Sequence, residues 1–438
     1  MAPSLAAETP QLKSPNPHRA GAQDVADRVA HALREARETD DRYSSALRKL
    51  KAAPGLTVDT KTWANVAGDV DAVGQTAREY LADKVLDKSP AERKTWWDSL
   101  SKDEREEYIT SFPDVIGYLD GIPATARDEA NRLNLPLVIA GLEGKTDDGA
   151  PDKLAGLKGI QEQLVQKSNP PMYLLGFGTE GNGRAIVSYG DPDTAQNVSA
   201  YVPGLGTSLN EEFTDGTMRR AFQTASTARK YDPSTASIVW LGYDAPGLLD
   251  VVSTTDADNG ASDYNSFMEG IQATNEHKDP HITAIGHSYG SLTVGTAARE
   301  DGGIPGADDI ILLGSPGTGA DDASELNVGK DHVFVGSADN DPVTELPARK
   351  DVLGVAFPVI GAVVAGNDDL WFGTDPASKE FGATRMESGD GPLPVLSNEG
   401  LTPAHSGYFD PARNPSAAAN IAKIVAGHSD LITTEAPR

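Results

Sequence analysis

No cysteine occurs at any of the 438 positions. That excludes a disulfide framework, iron–sulfur ligation by thiolates and a cysteine nucleophile, and it suits a reducing or an oxidising compartment equally. Long apolar runs are also missing. The nearest, Val352–Ala365, is interrupted by Pro358 and falls short of the ~18 residues a spanning helix needs, so no integral membrane segment is expected. Cationic charge is scarce: 38 Lys and Arg face 65 Asp and Glu, a net charge of −27. Nucleic acid and anionic membrane surfaces are therefore poor partners. Hydrophobic residues make up only 38% of the chain, which at this length still supplies a sizeable core. Met1–Ala20 contains four prolines and no apolar stretch, so it reads as a disordered lead and not as a signal peptide. The expectation is a soluble chain, cytoplasmic or else exported with its signal removed or by a non-standard route.

The 44 glycines and 29 prolines follow no period, as in a loop-rich globular protein. Charge divides the chain in two. Residues 1–135 carry 19 basic and 23 acidic side chains; residues 136–438 carry 19 and 42. The first part reads as a helical domain over residues 21–135. Val25, Val29, Leu33, Ala36, Tyr43, Leu47 and Leu50 form one apolar stripe, and Trp63, Val66, Val70, Val73, Ala77 and Tyr80 a second, separated by Ala52-Ala53-Pro54-Gly55. Two stripes and a break predict an antiparallel hairpin, whose face could dock a protein partner. Ser89-Pro90-Ala91-Glu92 and Ser101-Lys102-Asp103-Glu104 each predict a capped helix start. Trp63, Trp96 and Trp97 are expected in helix-packing cores.

Beyond a further amphipathic stretch at Lys153–Lys167, the pattern changes. Short apolar runs at Met172–Phe177, Arg184–Tyr189, Val198–Val202, Ser237–Gly242, His281–Ile285, Asp309–Leu313 and His332–Gly336 predict strands. Helical stretches fall at Leu209–Lys230, Asp263–His277, Ser291–Arg299 and Ser416–Ala426. This alternation predicts an α/β domain over 136–438, a mostly parallel sheet with helices on both faces. The first two strands, joined through Gly178–Gly183, are expected to form an antiparallel hairpin at one edge.

The sharpest chemical signal is Gly286-His287-Ser288-Tyr289-Gly290, directly after one predicted strand and directly before a predicted helix. A serine nucleophile on a strained strand-to-helix turn needs this context, with small residues where backbone passes close. The helix N-terminus behind Ser288 also favours negative charge developing on a substrate.

At these residues the chain resembles the α/β-hydrolase superfamily, from about Pro170 onward. The resemblance implies the chain order serine, acid, histidine. Of the eight histidines, at 18, 31, 277, 281, 287, 332, 405 and 428, only His405 and His428 follow a suitable acid. His428, after Gly427 at a helix end, suits a cap, which leaves His405 as the expected general base. The acid should follow the strand ending at Gly336. Asp341 and Asp339 both stand there, and Asp341, before Pro342-Val343, is favoured. The resemblance further implies an oxyanion hole built from the amide of Tyr289 and that of Leu205 or Gly204, in the loop Val202-Pro203-Gly204-Leu205-Gly206-Thr207. A serine hydrolase of carboxylic esters follows, acting on a small-molecule or lipid-like ester. Amide or peptide hydrolysis, acyl transfer, or a non-catalytic binding or secretion-associated protein on the same scaffold are the alternatives.

A narrower similarity is carried by Trp96-Trp97-Asp98-Ser99-Leu100, by Gly117-Tyr118-Leu119-Asp120-Gly121-Ile122-Pro123, by Arg127-Asp128-Glu129-Ala130-Asn131-Arg132 and by Gly242-Tyr243-Asp244-Ala245-Pro246. These resemble a poorly characterised actinobacterial-type α/β-hydrolase family that places helices before the hydrolase domain. Two other patterns fail their context. Gly176-x-Gly178-x-x-Gly181 is followed by a strand where a dinucleotide fingerprint needs a helix. Asp256-x-Asp258-x-Gly260 carries Phe267 where a calcium loop needs glutamate, so it reads as a solvated acidic turn. The histidines are too scattered for a zinc set; no metal and no cofactor are expected. The apolar region Leu353–Phe381, with Phe357, Val359, Ile360, Val363, Val364, Trp371 and Phe372, suits either a wall of an acyl pocket or a core helix. Tyr289 and Phe177 are expected near the mouth.

Overall fold

The computed structural model describes residues 85–146, 149–247, 254–345, 369–393 and 403–438. The expected lead at 1–20 and the hairpin stripes from Val25 to Tyr80, Trp63 included, lie outside these residues, as do Phe357, Val359, Ile360, Val363 and Val364. The chain divides into compact units at 1–88 and 89–438.

The second unit starts with helices α1 (Pro90–Ser99), α2 (Lys102–Ser111) and α3 (Pro113–Ile116), then α4 (Ala124–Leu142) and α5 (Ala150–Val165). Ser89 and Ser101 each accept from the backbone of the glutamate three residues on, and that glutamate reaches back to the serine's own N–H. Both reciprocal caps therefore form. Trp97 is buried, and Trp96 meets Tyr108 edge-on at 5.1 Å. The expected domain boundary at 135/136 falls inside α4 and is corrected to about residue 88. The reason is polar bonding between α4 and the sheet. Arg127 Nε donates to Leu175 O at 2.6 Å, and buried Asn131 donates to Leu174 O at 2.8 Å. The helices of 89–135 thus belong with the hydrolase sheet, and the charge change near 135 marks no structural seam.

Among the described residues the main sheet has eight strands. They are β1 (Met172–Gly178), β2 (Arg184–Tyr189), β3 (Asn197–Val202), β4 (Thr235–Leu241), β5 (His281–His287), β6 (Ala307–Leu313), β7 (Val333–Gly336) and β10 (Thr384–Arg385), in the order β1-β2-β4-β3-β5-β6-β7-β10. β2 runs antiparallel to both β1 and β4; every pair from β4 to β10 is parallel. β8 (Asp369–Leu370) and β9 (Gly373–Thr374) form a separate small hairpin. The central strands are buried on both faces, which is why they read as unbroken apolar runs.

Alternate residues of each strand serve two cores. Ala200, Ile238, Ala284 and Ile310 pack with α7 (Thr255–Thr274) and α8 (Gly290–Arg299). Tyr201, Val239, Ile285 and Ile311 pack with α5, α6 (Met218–Ala228) and α9 (Pro415–Val425). α7 begins at Thr255, so Asp256 and Asp258 stand in its first turn. The acidic turn expected there is corrected: carboxylates at a helix N-terminus offset the dipole of the aligned peptides. Among the described residues no helix is long and apolar enough to cross a membrane.

One buried carboxyl ties α4 to the sheet at a cost. Asp193 Oδ2 accepts from Ala124 N, in the first turn of α4, at 2.6 Å. Burial pushes its pKa up to about 6. A raised carboxyl pKa means the fold prefers the neutral acid, so this group's contribution to stability falls as pH rises from about 4 through about 6. Asp193→Asn keeps the acceptor and removes the charge. Urea unfolding should find the variant more stable than wild type by about 1–3 kcal/mol at pH 8 and indistinguishable near pH 4. A difference that does not vary with pH would refute the assignment.

Candidate active site

Ser288 lies on the turn between β5 and α8 with φ of 56°, in the left-handed region. A non-glycine residue there is strained by about 1–3 kcal/mol and persists only where its surroundings dictate it. Here they do. Ser288 N donates to Leu313 O at 2.9 Å, and Ser288 O accepts from Ser291 N at 3.0 Å. A Cβ on Gly286 would lie 2.6 Å from Ser291 Cα, and one on Gly290 would lie 2.2 Å from Val202 O. Only glycines let β5, α8 and the end of β3 meet this closely.

Three other loops converge on the same carboxyl ends of the parallel strands. After β7, Asp341 is fully buried, and its Oδ2 lies 2.9 Å from His405 Nδ1. That pairing puts the imidazole proton on Nδ1 and leaves the lone pair on Nε2. Tyr408 Oη donates to the same Oδ2 at 2.7 Å, and Val343 N donates to Oδ1 at 3.0 Å. After β6, Gly314 packs against the pair: a Cβ on it would be 2.7 Å from both Asp341 Oδ2 and His405 Nδ1. Leu313, which holds Ser288 N, is the residue before it, so serine and imidazole–carboxylate pair flank one stretch of backbone. After β3, a Cβ on Gly204 would lie 2.5 Å from Ser288 Cβ. Leu205 follows it, and Tyr289 is the residue that leads into α8.

The structure thus brings together Ser288, Tyr289, Gly204, Leu205, Asp341 and His405. It leaves Asp339 outside: that side chain is 71% exposed, with Arg385 at 3.4 Å. Phe177 is also away from the site. It lies near the end of the edge strand β1, four strand spacings from β5, or roughly 19 Å, and packs in the core on the α6 side. Its expected place at the mouth is corrected; a run of apolar residues does not reveal where its strand sits in the sheet. Of the apolar region 353–381, residues 369–381 are described, and they include the β8–β9 hairpin. Phe372 from that hairpin meets the Tyr289 ring edge-on at 5.5 Å. With Trp371, Leu292 and Thr254 it lines a recess of about 340 Å³ that does not include Ser288.

Two participants went unforeseen. His287 is buried, its ring 4.6 Å from that of His405, and its Nε2 lies 2.7 Å from the His405 carbonyl oxygen. A carbonyl only accepts, so His287 Nε2 carries the proton. Burial, then the charges of His405 and Arg220, hold its pKa well below the usual range, so it is a neutral brace on the His405 backbone. Tyr408 is the other. Burial and the neighbouring Asp341 raise its phenol well above the ordinary range, which keeps it protonated and donating. No spacing rule marks either residue; a histidine inside Gly-x-Ser-x-Gly was the only available hint. Among the described residues no group of three or more His, Asp and Glu could hold a metal ion.

A serine on a left-handed turn after the fifth strand of this sheet order defines the α/β-hydrolase fold. Comparison with known families agrees. A family model described as alpha/beta hydrolase matches residues 179–350. An uncharacterized protein of Mycobacterium tuberculosis is 32% identical over 385 residues, 78% of this chain and 56% of that protein. An uncharacterized protein of Mycobacterium bovis is 38% identical over 204 residues, 44% of this chain and 74% of that protein. The chain therefore matches little more than half the length of the longer relative. Among solved structures, a mutant of the esterase E40 matches with a TM-score of 0.29 at 14% identity, over 68% of this chain and 99% of that one. A carboxyl esterase from Bacillus coagulans matches with a TM-score of 0.22 at 18% identity, over 33% and 43%. The two structural likenesses are distant. The chain belongs to the α/β hydrolase family.

Tyr408→Phe tests the support beneath Asp341. The substitution strips Ala338 N of its acceptor, bonded at 2.9 Å, and Asp341 of one donor. Denaturant titration should show a loss of about 1–3 kcal/mol, the cost of orphaned buried polar groups. An unchanged midpoint would mean that the phenol contributes nothing there.

Proposed function

We propose that the protein is a serine hydrolase of carboxylic esters, acting on a small-molecule or lipid-like substrate. What supports this reading above all is that the strained Ser288 turn and the buried His405–Asp341 pair both pack against the Leu313–Gly314 backbone. Ser288 Oγ attacks the acyl carbon while its proton passes to His405 Nε2. Asp341 holds the Nδ1–H tautomer and stabilises the imidazolium without taking the proton outright. The amides of Tyr289 and of Leu205 or Gly204 receive the oxyanion, at the N-terminus of α8. As the tetrahedral intermediate collapses, the ester C–O bond breaks and the imidazolium proton goes to the departing alcohol. Water, deprotonated by His405, then attacks the acyl-enzyme, and Ser288 leaves with the proton returned to it.

A fluorophosphonate probe should label the wild type and neither Ser288→Ala nor His405→Ala. Against p-nitrophenyl esters of rising chain length, Ser288→Ala should lose ~10⁴-fold or more in kcat with the fold intact by circular dichroism. The chain-length optimum then sizes the acyl pocket. Absence of labelling in a well-folded wild type would sink the mechanism and shift weight to a binding role.

A further inference from the structure

The loop 203–207, which passes against Ser288, is held by three hydrogen bonds to its backbone. Pro203 O accepts from Tyr243 Oη at 2.7 Å. Gly204 O accepts from Thr207 N at 3.3 Å, and Gly206 N donates to Pro246 O at 2.9 Å. Among the described residues, the N–H groups of Gly204 and Leu205 take no hydrogen bond. The loop is thus pinned on both sides of the two donors and left open at them.

The anchor on Pro203 is the informative one. A trans peptide is planar, with its C=O and N–H pointing in opposite directions. Fixing Pro203 C=O therefore fixes the aim of Gly204 N–H, and it sets one end of the next peptide, which carries Leu205 N–H. Tyr243 is well suited to the task. It is 2% exposed, its ring lies within 12° of parallel to Trp240, and a Cβ on Gly260 of α7 would touch its own Cβ at 3.0 Å. On so confined a ring the hydroxyl is held in place; it donates to the Pro203 carbonyl and has Thr293 of α8 as its other polar neighbour. The stretch that carries Tyr243 is itself clamped: Asp244 takes two bonds from Arg184, each 2.7 Å, and one from Asn182 N, also 2.7 Å.

We propose that Tyr243 is a positioning residue for the oxyanion-binding amides, its hydroxyl setting the plane of the Pro203–Gly204 peptide beside Ser288. This rests on the serine-hydrolase reading above. The molecule supplies its own control. Tyr264 is equally buried, and its hydroxyl donates to Ala200 O, in β3 upstream of the loop, at 2.9 Å. Removing either hydroxyl takes one hydrogen bond from a buried carbonyl of the same chain segment, but only Tyr243 touches the loop.

The experiment compares the full-length wild type, Tyr243→Phe and Tyr264→Phe. The readouts are kcat and KM on a p-nitrophenyl ester, inhibition by a trifluoromethyl ketone, whose hemiketal oxyanion fills the hole, and thermal midpoint. Tyr243→Phe should lower kcat by ~10–100-fold with KM little changed, somewhat less than deleting a donor outright, and weaken the ketone by a similar factor. Tyr264→Phe should leave both within ~3-fold while losing comparable thermal stability. Equal effects of the two variants on kcat and ketone affinity would overturn the proposal. So would a Tyr243→Phe loss confined to KM or to the midpoint. Should Tyr243→Phe not fold, Asp244→Asn loosens the same stretch from its more exposed side; parallel falls in kcat and ketone affinity support the positioning role, and their absence overturns it. A wild type that no fluorophosphonate labels removes the hydrolase reading and this inference together.

Discussion

Where β5 turns into α8 there is no space for a side chain two residues to either side of Ser288. Glycine at 286 lets the helix start almost on top of the strand, and glycine at 290 lets the end of β3 pass underneath. With both flanks closed, the backbone between them is driven into the left-handed region, and the serine side chain projects from the turn. Tight packing of three backbones thus produces a local strain that no single contact would sustain. The sheet order makes this possible. β5 lies between β3 and β6, so the loops that follow all three strands open beside one turn.

Around that turn the polar groups are arranged so that each hydrogen bond runs in one direction. Asp341 is surrounded by donors: an imidazole N–H, a phenol and a backbone amide. His405 is held by its side chain through Asp341 and by its carbonyl through His287. His287 is too buried to charge readily, so its bond to the His405 carbonyl keeps one direction. Fixed tautomers and fixed directions are what a site needs if its dipoles are to act without reorganising. Burial, which elsewhere in the molecule costs Asp193 stability, here confines the choice of state.

Much of this was legible in the sequence because it follows from local rules. Each expected main-sheet strand lies within two residues of its observed bounds, since strands covered on both faces need continuous apolar runs. Gly286-x-Ser288-x-Gly290 announces its own backbone, and few histidines remained to choose among. What was not legible depends on tertiary placement. β10 is two residues long and offers no periodicity, and its pairing with β7 is set by the chain around it. α4 carries on past the change in charge because Arg127 and Asn131 bond to strand carbonyls, a partnership without a pattern. Tyr408 and Tyr243 are ordinary buried tyrosines by composition; only the atoms that their hydroxyls meet distinguish them.

The bond from the His287 side chain to the His405 backbone also bears on how the molecule assembles. His287 Nε2 and His405 O are 118 positions apart in the chain. Ser288, by contrast, meets Leu313 across a single strand–helix–strand unit, a much shorter loop to close. The entropy of closing the longer loop is lost before any of its contacts form, so such contacts tend to arrive late in folding. The strained turn can therefore be built while the segment that carries His405 is still searching. During that interval a refolding chain would hold the strained Ser288 turn before His405 had reached Asp341.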